Sequence, residues 1–435
     1  MNEGKVVKNA SWIIGVQIAK ALLGIVISML TARYLGPTNY GLLNYAASII
    51  TFLTPVMYLG LKNTLVQELV AAPNKEGEIL GTAITMSFCS SVLCILGAAV
   101  FVSIANRGEH ETLVVCLLYS LLLIFQSVEL IVYWFQAKLL SKSSSLVSLC
   151  AYILVSGYKI FLLATGKNIY WFALSNALDY CIIAFALLYI YRSKRGQKLH
   201  FSMHRAKELF KHSKYYIISG LMIVIYAQTD RIMLKLMVGN VETGYYSAAV
   251  YCAGMASFVF SAIIDSMRPV IFRYKVNGDN AYETSIIWLY SIIIYLAAGY
   301  SIVMSVFAPY VINVLYGQEY LAAVPILQIV VWYCTASYIG GAFSVWVLAE
   351  GKQRCLILIN AVGAGLNVIL NAILIPKWHA VGAAAASVTT QYAINIIFVS
   401  LYRPTRRNGY LMLQGCSPKV IVSIIKHLKK GANHD

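Results

Sequence analysis

Apolar residues along this 435-residue chain gather into long unbroken windows rather than the two-residue alternation of a half-buried strand. A bilayer crossing needs about 20 mainly apolar residues. Twelve windows qualify: about 11–32, 40–61, 79–104, 112–135, 145–164, 170–191, 215–238, 245–267, 285–307, 322–348, 355–375 and 381–402. The connections are short apart from 192–214. The pattern predicts an all-α integral membrane protein of 12 transmembrane helices. The first window is too long for a signal-peptide core and lacks a small-residue cleavage site, so it is read as an uncleaved span.

Composition agrees, since 60% hydrophobic with 12% charged residues is far too apolar for a soluble domain. The net charge of +17 would suggest nucleic acid in a soluble protein, but here it sorts by side. Of the 34 Lys and Arg residues, 26 fall on the side of the termini, eight of them in 192–214 and seven after 402. Four fall on the opposite side (Arg33, Arg107, Lys167, Lys377) and four within spans. Basic loops mark the cytoplasm. Both termini are therefore expected there, and no nucleic-acid partner is. The second part of 192–214 and the tail segment 417–430 place basic and apolar residues at helical spacing, which predicts helices lying on the anionic inner leaflet. Ser417 and Pro418 read as the N-cap and first position of the tail helix.

Two turns repeat one another. Gly36 and Gly41 follow the first span, Gly239 and Gly244 follow the seventh, and the offset is 203 residues in both cases. Six spans per repeat is even, so the halves share orientation, a geometry used by transporters with a midplane site. The expected division is an N-terminal six-helix half (1–191), a basic linker (192–214), a C-terminal half (215–402) and a basic tail (403–435).

Charges inside spans carry the candidate chemistry, because a central charge costs roughly 2.5–3.5 kcal/mol even on a gentle scale. The bases are Lys20, Lys159, Arg231 and Lys235, and the acids include Glu129, Asp179 and Asp230. Arg suits a bidentate grip on phosphate, Lys a point charge. Arg231 and Lys235 share a helix face, with Asp230 rotated about 100° away. Two readings of the acids stay open: structural partners of the bases, Lys20 with Asp179 above all, or coupling-ion sites, for which Asp179 is best placed by depth. Lys235 is near enough to a helix end to snorkel. Tyr226, Gln228, Asn360, Asn367, Asn371 and Gln391 either line a lumen or bond between helices. The 31 tyrosines serve as interface anchors or as sugar-stacking rings. Nine cysteines without a CxxC or Cys/His spacing read as small buried hydrophobes, so neither metal nor cofactor is expected.

Four patches carry a family resemblance: Thr31-Ala-Arg-Tyr-Leu-Gly-Pro-Thr-Asn-Tyr-Gly41, Gln228-Thr-Asp-Arg-Ile-Met-Leu-Lys235, the Gly-Tyr-Tyr-Ser-Ala-Ala that follows, and Asn367 to Ala386. In this order they resemble the polysaccharide-biosynthesis flippases, the Wzx-type O-antigen and capsule unit translocases of the multidrug/oligosaccharidyl-lipid/polysaccharide (MOP) superfamily. His379 departs from a usual glycine and Lys235 from an often small residue. The resemblance implies a V-shaped MATE-like bundle of two six-helix halves and no enzymatic chemistry. It implies translocation of an undecaprenyl-diphosphate-linked oligosaccharide from the inner to the outer leaflet of the bacterial cell membrane by alternating access. Membrane lipids, a polysaccharide polymerase and a chain-length regulator are the implied partners. The competing readings are a multidrug or cation antiporter of the same superfamily and a peptidoglycan-precursor (lipid II) flippase. An enzyme would need large loops bearing carboxylates or Arg/His sites, and the extracytoplasmic loops are too short for that.

Overall fold

The structure is a computed structural model that describes residues 3–278 and 281–431. The side chains of Lys5, Lys8, Lys426, Lys429 and Lys430, which enter the charge asymmetry and the amphipathic tail, lie outside the described set.

Helices α1 (Glu3–Met57), α2 (Leu65–Ala71), α3 (Glu76–Ala105), α4 (His110–Ser120), α5 (Leu122–Glu129), α6 (Val132–Ala137), α7 (Ser141–Ala164), α8 (Ile169–Ser193) and α9 (Met203–Met237) form the first part of the chain. Helices α10 (Asn240–Ala253), α11 (Ser257–Val276), α12 (Ala281–Tyr316), α13 (Val324–Ala349), α14 (Arg354–Tyr392), α15 (Val399–Leu401), α16 (Arg406–Gly415) and α17 (Pro418–Gly431) follow. The described residues contain no strand. Ten helical segments among them are long and apolar enough to cross a membrane. The fold is an all-α, multi-pass membrane fold.

Two of these segments are each a pair of crossings. At about 1.5 Å per residue, a straight 55-residue α1 would be more than twice the thickness of the hydrocarbon core. It turns at Gly36, whose φ of 68° suits a residue without a side chain, and Pro37 then starts the second helix with its ring-fixed φ. α14 turns in the same way at His379, with φ 50° and ψ −129°. Divided at these two turns, the ten segments among the described residues are consistent with the twelve hydropathy windows. Past the His379 turn the chain packs through small residues: Ala380, Gly382, Ala383, Ala384 and Ala386 are all buried, and a Cβ at Gly382 would overlap the Leu374 carbonyl.

The windows understate how much of the connections is helical. The stretch after Gly239 is helix from Asn240 onward, so the turn is essentially one glycine with φ 130°. Ser202 caps α9 by accepting a hydrogen bond from the Arg205 amide, and the basic run 203–214 continues into the span as one helix. The expected tail helix begins at Pro418. Before it, α16 docks on α12, where the Tyr290 hydroxyl donates to Asn408 Oδ1 at 2.9 Å and Gly415 lies against the Tyr290 side chain.

The chain divides into two compact units, Met1–Gly244 and Tyr245–Asp435. In the first, α1 packs along α7 and α9, and α5 along α8. The core of the second is built from Phe260, Tyr290, Ile293, Phe343 and Trp346 on α11, α12 and α13. Buried amides there are spent on packing: Asn371 donates to Asn367, and Asn395 donates to both Gln391 and the Ala336 carbonyl. Of the nine cysteines, Cys94, Cys116, Cys252 and Cys334 are buried, whereas Cys89 and Cys150 lie at the surface of their helices.

Candidate functional site

Within the first unit a cavity of about 470 Å³ opens among α1, α5, α6, α7 and α8. Lys20 comes from α1, Glu129 from α5, and Ser141, Ser144, Ser145, Ser148 and Tyr152 from α7. The serines and Tyr152 stand at intervals of three, four and seven residues, so one face of α7 is a hydroxyl stripe. Lys20 is held against that stripe. Its ammonium donates to Ser148 Oγ at 2.8 Å and sits 5.1 Å from the centre of the Tyr152 ring.

The candidate charges on α5, α7 and α8 lie around the same place. Glu129 Oε2 accepts from the Tyr58 hydroxyl at 3.2 Å, and Lys62 caps the Tyr58 ring at 3.7 Å. Asp179 is within electrostatic reach of Lys20 and Lys159, and its buried Oδ1 has no hydrogen-bond partner among the described residues. Lys159 donates to Asn176 Oδ1 at 3.2 Å. The sequence placed Lys20, Lys159, Glu129 and Asp179 in spans, and the fold gathers them into one mixed-charge cluster beside a hydroxyl-lined space. Such a surface can hold an anionic group at its cation and hydroxyl-rich groups along its serines and tyrosines.

The α9 charges are elsewhere. Arg231 Nη1 donates to Gln228 Oε1 at 3.0 Å, about 9 Å along the helix from its end at Met237. Asp230 is buried. Lys235 is also buried, and both oxygens of Glu109 accept from it at 2.7 and 3.0 Å. Partial burial of Glu109 opposes its ionisation, but the hydrogen bonds from Lys235 and Thr112 outweigh this and hold the carboxyl below the ordinary glutamate value. Lys235 is thereby committed to Glu109 at this end of α9.

The two repeated turns meet. A Cβ on Gly41 would overlap the Asn240 carbonyl oxygen and lie 2.7 Å from the Gly244 nitrogen. A Cβ on Gly244 would overlap the Pro37 carbonyl oxygen. Pro37 and Asn240 are themselves 203 residues apart, as Gly41 and Gly244 are, so this is one contact made twice under the repeat. Backbone lies on backbone at both places, which only glycine permits.

A family model described as "Polysaccharide biosynthesis protein" matches residues 6–275, more than half of the chain. The chain belongs to this family. Among curated relatives of this polysaccharide-biosynthesis protein is the capsular polysaccharide biosynthesis protein CapF of Staphylococcus aureus, 22% identical over 404 residues that span 91% of this chain and 99% of CapF. Among solved structures, the lipid II flippase MurJ in an inward closed conformation superposes with a TM-score of 0.71 at 15% identity, covering 94% of this chain and 92% of MurJ. An inward-facing multidrug resistance MATE transporter of the MOP superfamily gives a TM-score of 0.67 at 13% identity, covering 92% and 96%. These likenesses give the fold, one shared with MurJ and the MATE transporter.

Several residues of the site were absent from the sequence reading: Ser148 and Tyr152 against Lys20, Tyr58 and Lys62 beside Glu129, Asn176 on Lys159 and Glu109 on Lys235. The hydroxyl stripe of α7 was the readable signal, since its spacing is helical. The partner of Lys159 lies on the next helix and that of Lys235 in a loop 126 residues away, so neither leaves a mark in local spacing.

Proposed function

We propose that this polysaccharide-biosynthesis family member translocates an undecaprenyl-diphosphate-linked oligosaccharide from the inner to the outer leaflet by alternating access, supplying surface polysaccharide assembly. The observation that carries this reading is the cavity at Lys20, where a cation, a serine stripe and an aromatic ring face one space of about 470 Å³ inside the membrane fold. A diphosphate asks for the cation, and a sugar head asks for hydroxyls and a ring. On the same reading the termini and 192–214 are cytoplasmic, which reporter fusions in 192–214 test directly. The turns at Gly41 and Gly244 then close the outer side, and Arg231 meets the diphosphate or an acidic sugar on the way out. Asp179 and Glu129 are the candidates for a coupling ion. A multidrug cation antiporter would favour an acid-dominated cavity, whereas here Lys20 offsets Glu129.

The test is complementation of a strain lacking its own flippase, at matched membrane levels of each variant. A charge-assisted contact is worth roughly 1.5–3 kcal/mol, so Lys20→Ala or Arg231→Ala should lower surface polysaccharide at least about tenfold. Arg231→Lys should retain part of the activity. Wild-type polysaccharide from both alanine variants would remove these cations from the substrate path.

A further inference from the structure

A second built pocket lies on the basic side of the first unit, next to the cavity but not part of it. The segment after α8 is strapped flat over the start of α3. Gly196 rests on the Tyr191 ring, where a Cβ would overlap ring carbons, and the Tyr191 hydroxyl donates to the Gln197 carbonyl at 2.7 Å. The Gln197 side chain accepts from the Gly77 amide at 2.9 Å and donates to the Pro73 carbonyl at 3.1 Å. Further along, the His200 amide donates to the Gly77 carbonyl, and the Ser202 amide to Thr82 Oγ1 at 3.0 Å.

This strap fixes Lys194 and Arg195 on the rim of a pocket of about 590 Å³. Lys138, Trp134 and Glu76 form the facing wall. Glu76 is buried and fully engaged, with one oxygen paired to Lys138 and the other accepting from Trp134 Nε1 at 2.7 Å. Both oxygens of the pocket's acid are thus spent. Neither Lys194 nor Arg195 has a side-chain partner among the described residues, and Arg195 is held at φ 55°, in the left-handed region an L residue rarely adopts. Three cations against one neutralised carboxylate leave a concave site with net positive charge. Lys138 and Leu140 line it, while Gln136 and Ser141 of the same turn line the Lys20 cavity, so the two spaces share a wall.

We propose that this pocket binds a phosphate anion, with Arg195 gripping two oxygens, Lys194 and Lys138 supplying point charges, and the Glu76–Trp134 pair fixing the floor. Phosphate fits because Arg matches its oxygens in a bidentate fork, and because a basic pocket between membrane helices recruits anionic headgroups. The proposal does not depend on transport. Two carriers share the chemistry: the headgroup of an anionic phospholipid and free inorganic phosphate.

The experiment uses the full purified chain. One arm measures retention of phosphatidylglycerol over phosphatidylcholine by native mass spectrometry, and the other measures protection against heat by inorganic phosphate. Removing both unpartnered cations in Lys194→Ala/Arg195→Ala should weaken binding roughly tenfold or more. The control Arg107→Ala/Lys167→Ala removes the same charge from exposed positions elsewhere in the first unit and should bind as wild type. Lys194 and Arg195 are exposed, so the double variant keeps the fold, and Lys194→Glu/Arg195→Glu should abolish binding outright. Selective loss of the lipid assigns the headgroup, and selective loss of phosphate protection assigns the soluble anion. Neither ligand binding wild type, or equal weakening by the control, would overturn the proposal.

Discussion

Gly41→Ala isolates the contact between the two repeated turns. The new methyl would overlap the Asn240 carbonyl oxygen, a backbone atom that no rotamer change can move aside. Overpacking of this kind costs about 1–3 kcal/mol in the closed arrangement. Gly41 is helical on both sides of any opening, so the gain of about 1 kcal/mol in helix propensity applies to both arrangements and cancels between them. The closed-to-open ratio should therefore fall roughly 5- to 150-fold, while the net loss of global stability stays within about 2 kcal/mol. Hydrogen exchange reads this directly: amides in 37–41 and 240–244 should exchange faster by that factor. Gly244→Ala should act in the same direction, because its methyl would meet Pro37 in the corresponding contact. The double variant should fall short of the sum, since either methyl already separates the turns. Wild-type exchange in both single variants would refute the idea that these glycines hold a closed gate.

Three further outcomes are expected. Glu109→Gln should destabilise the protein by about 1–2 kcal/mol, a modest figure because Glu109 is itself partly exposed. The Glu109 carboxyl lies below its ordinary value of 4.5, so its contribution is complete above that pH and is lost as pH falls through the folded value. The melting midpoints of wild type and Glu109→Gln should accordingly converge in acid, and a constant gap down to the lowest pH would contradict the pairing. Asp179→Asn should stop gradient-driven transport while leaving insertion and folding intact, and normal transport would return Asp179 to a structural role beside Lys20 and Lys159. His379 occupies a backbone region open to glycine and costly for other residues, so His379→Gly should raise stability by about 1 kcal/mol in a denaturation assay, and a loss would refute the strain.

The spans were legible because a bilayer demands long apolar windows, and the Gly36 and His379 turns fall between windows that the sequence had already separated. The repeat of Gly36–Gly41 in Gly239–Gly244 was also legible, but its cause was not: spacing shows that two glycines recur, not that each lies against the other's turn. Charges in spans pointed to Lys20, Lys159, Glu129 and Asp179 one by one. Their gathering depends on how α1, α5, α7 and α8 pack, which hydropathy does not encode. The strap 192–202 reads as a basic loop, and its hold on α3 passes through backbone groups and the Gln197 amide, which carry no compositional signal.

The central claim is tested most directly by reconstituting the purified chain into liposomes carrying a polyprenyl-diphosphate oligosaccharide on one leaflet and following its appearance on the other with a membrane-impermeant lectin. The account predicts protein-dependent appearance of the sugar that is reduced at least about tenfold in Lys20→Ala. Translocation no faster than in protein-free liposomes, under gradients of proton, sodium or potential alike, would contradict it.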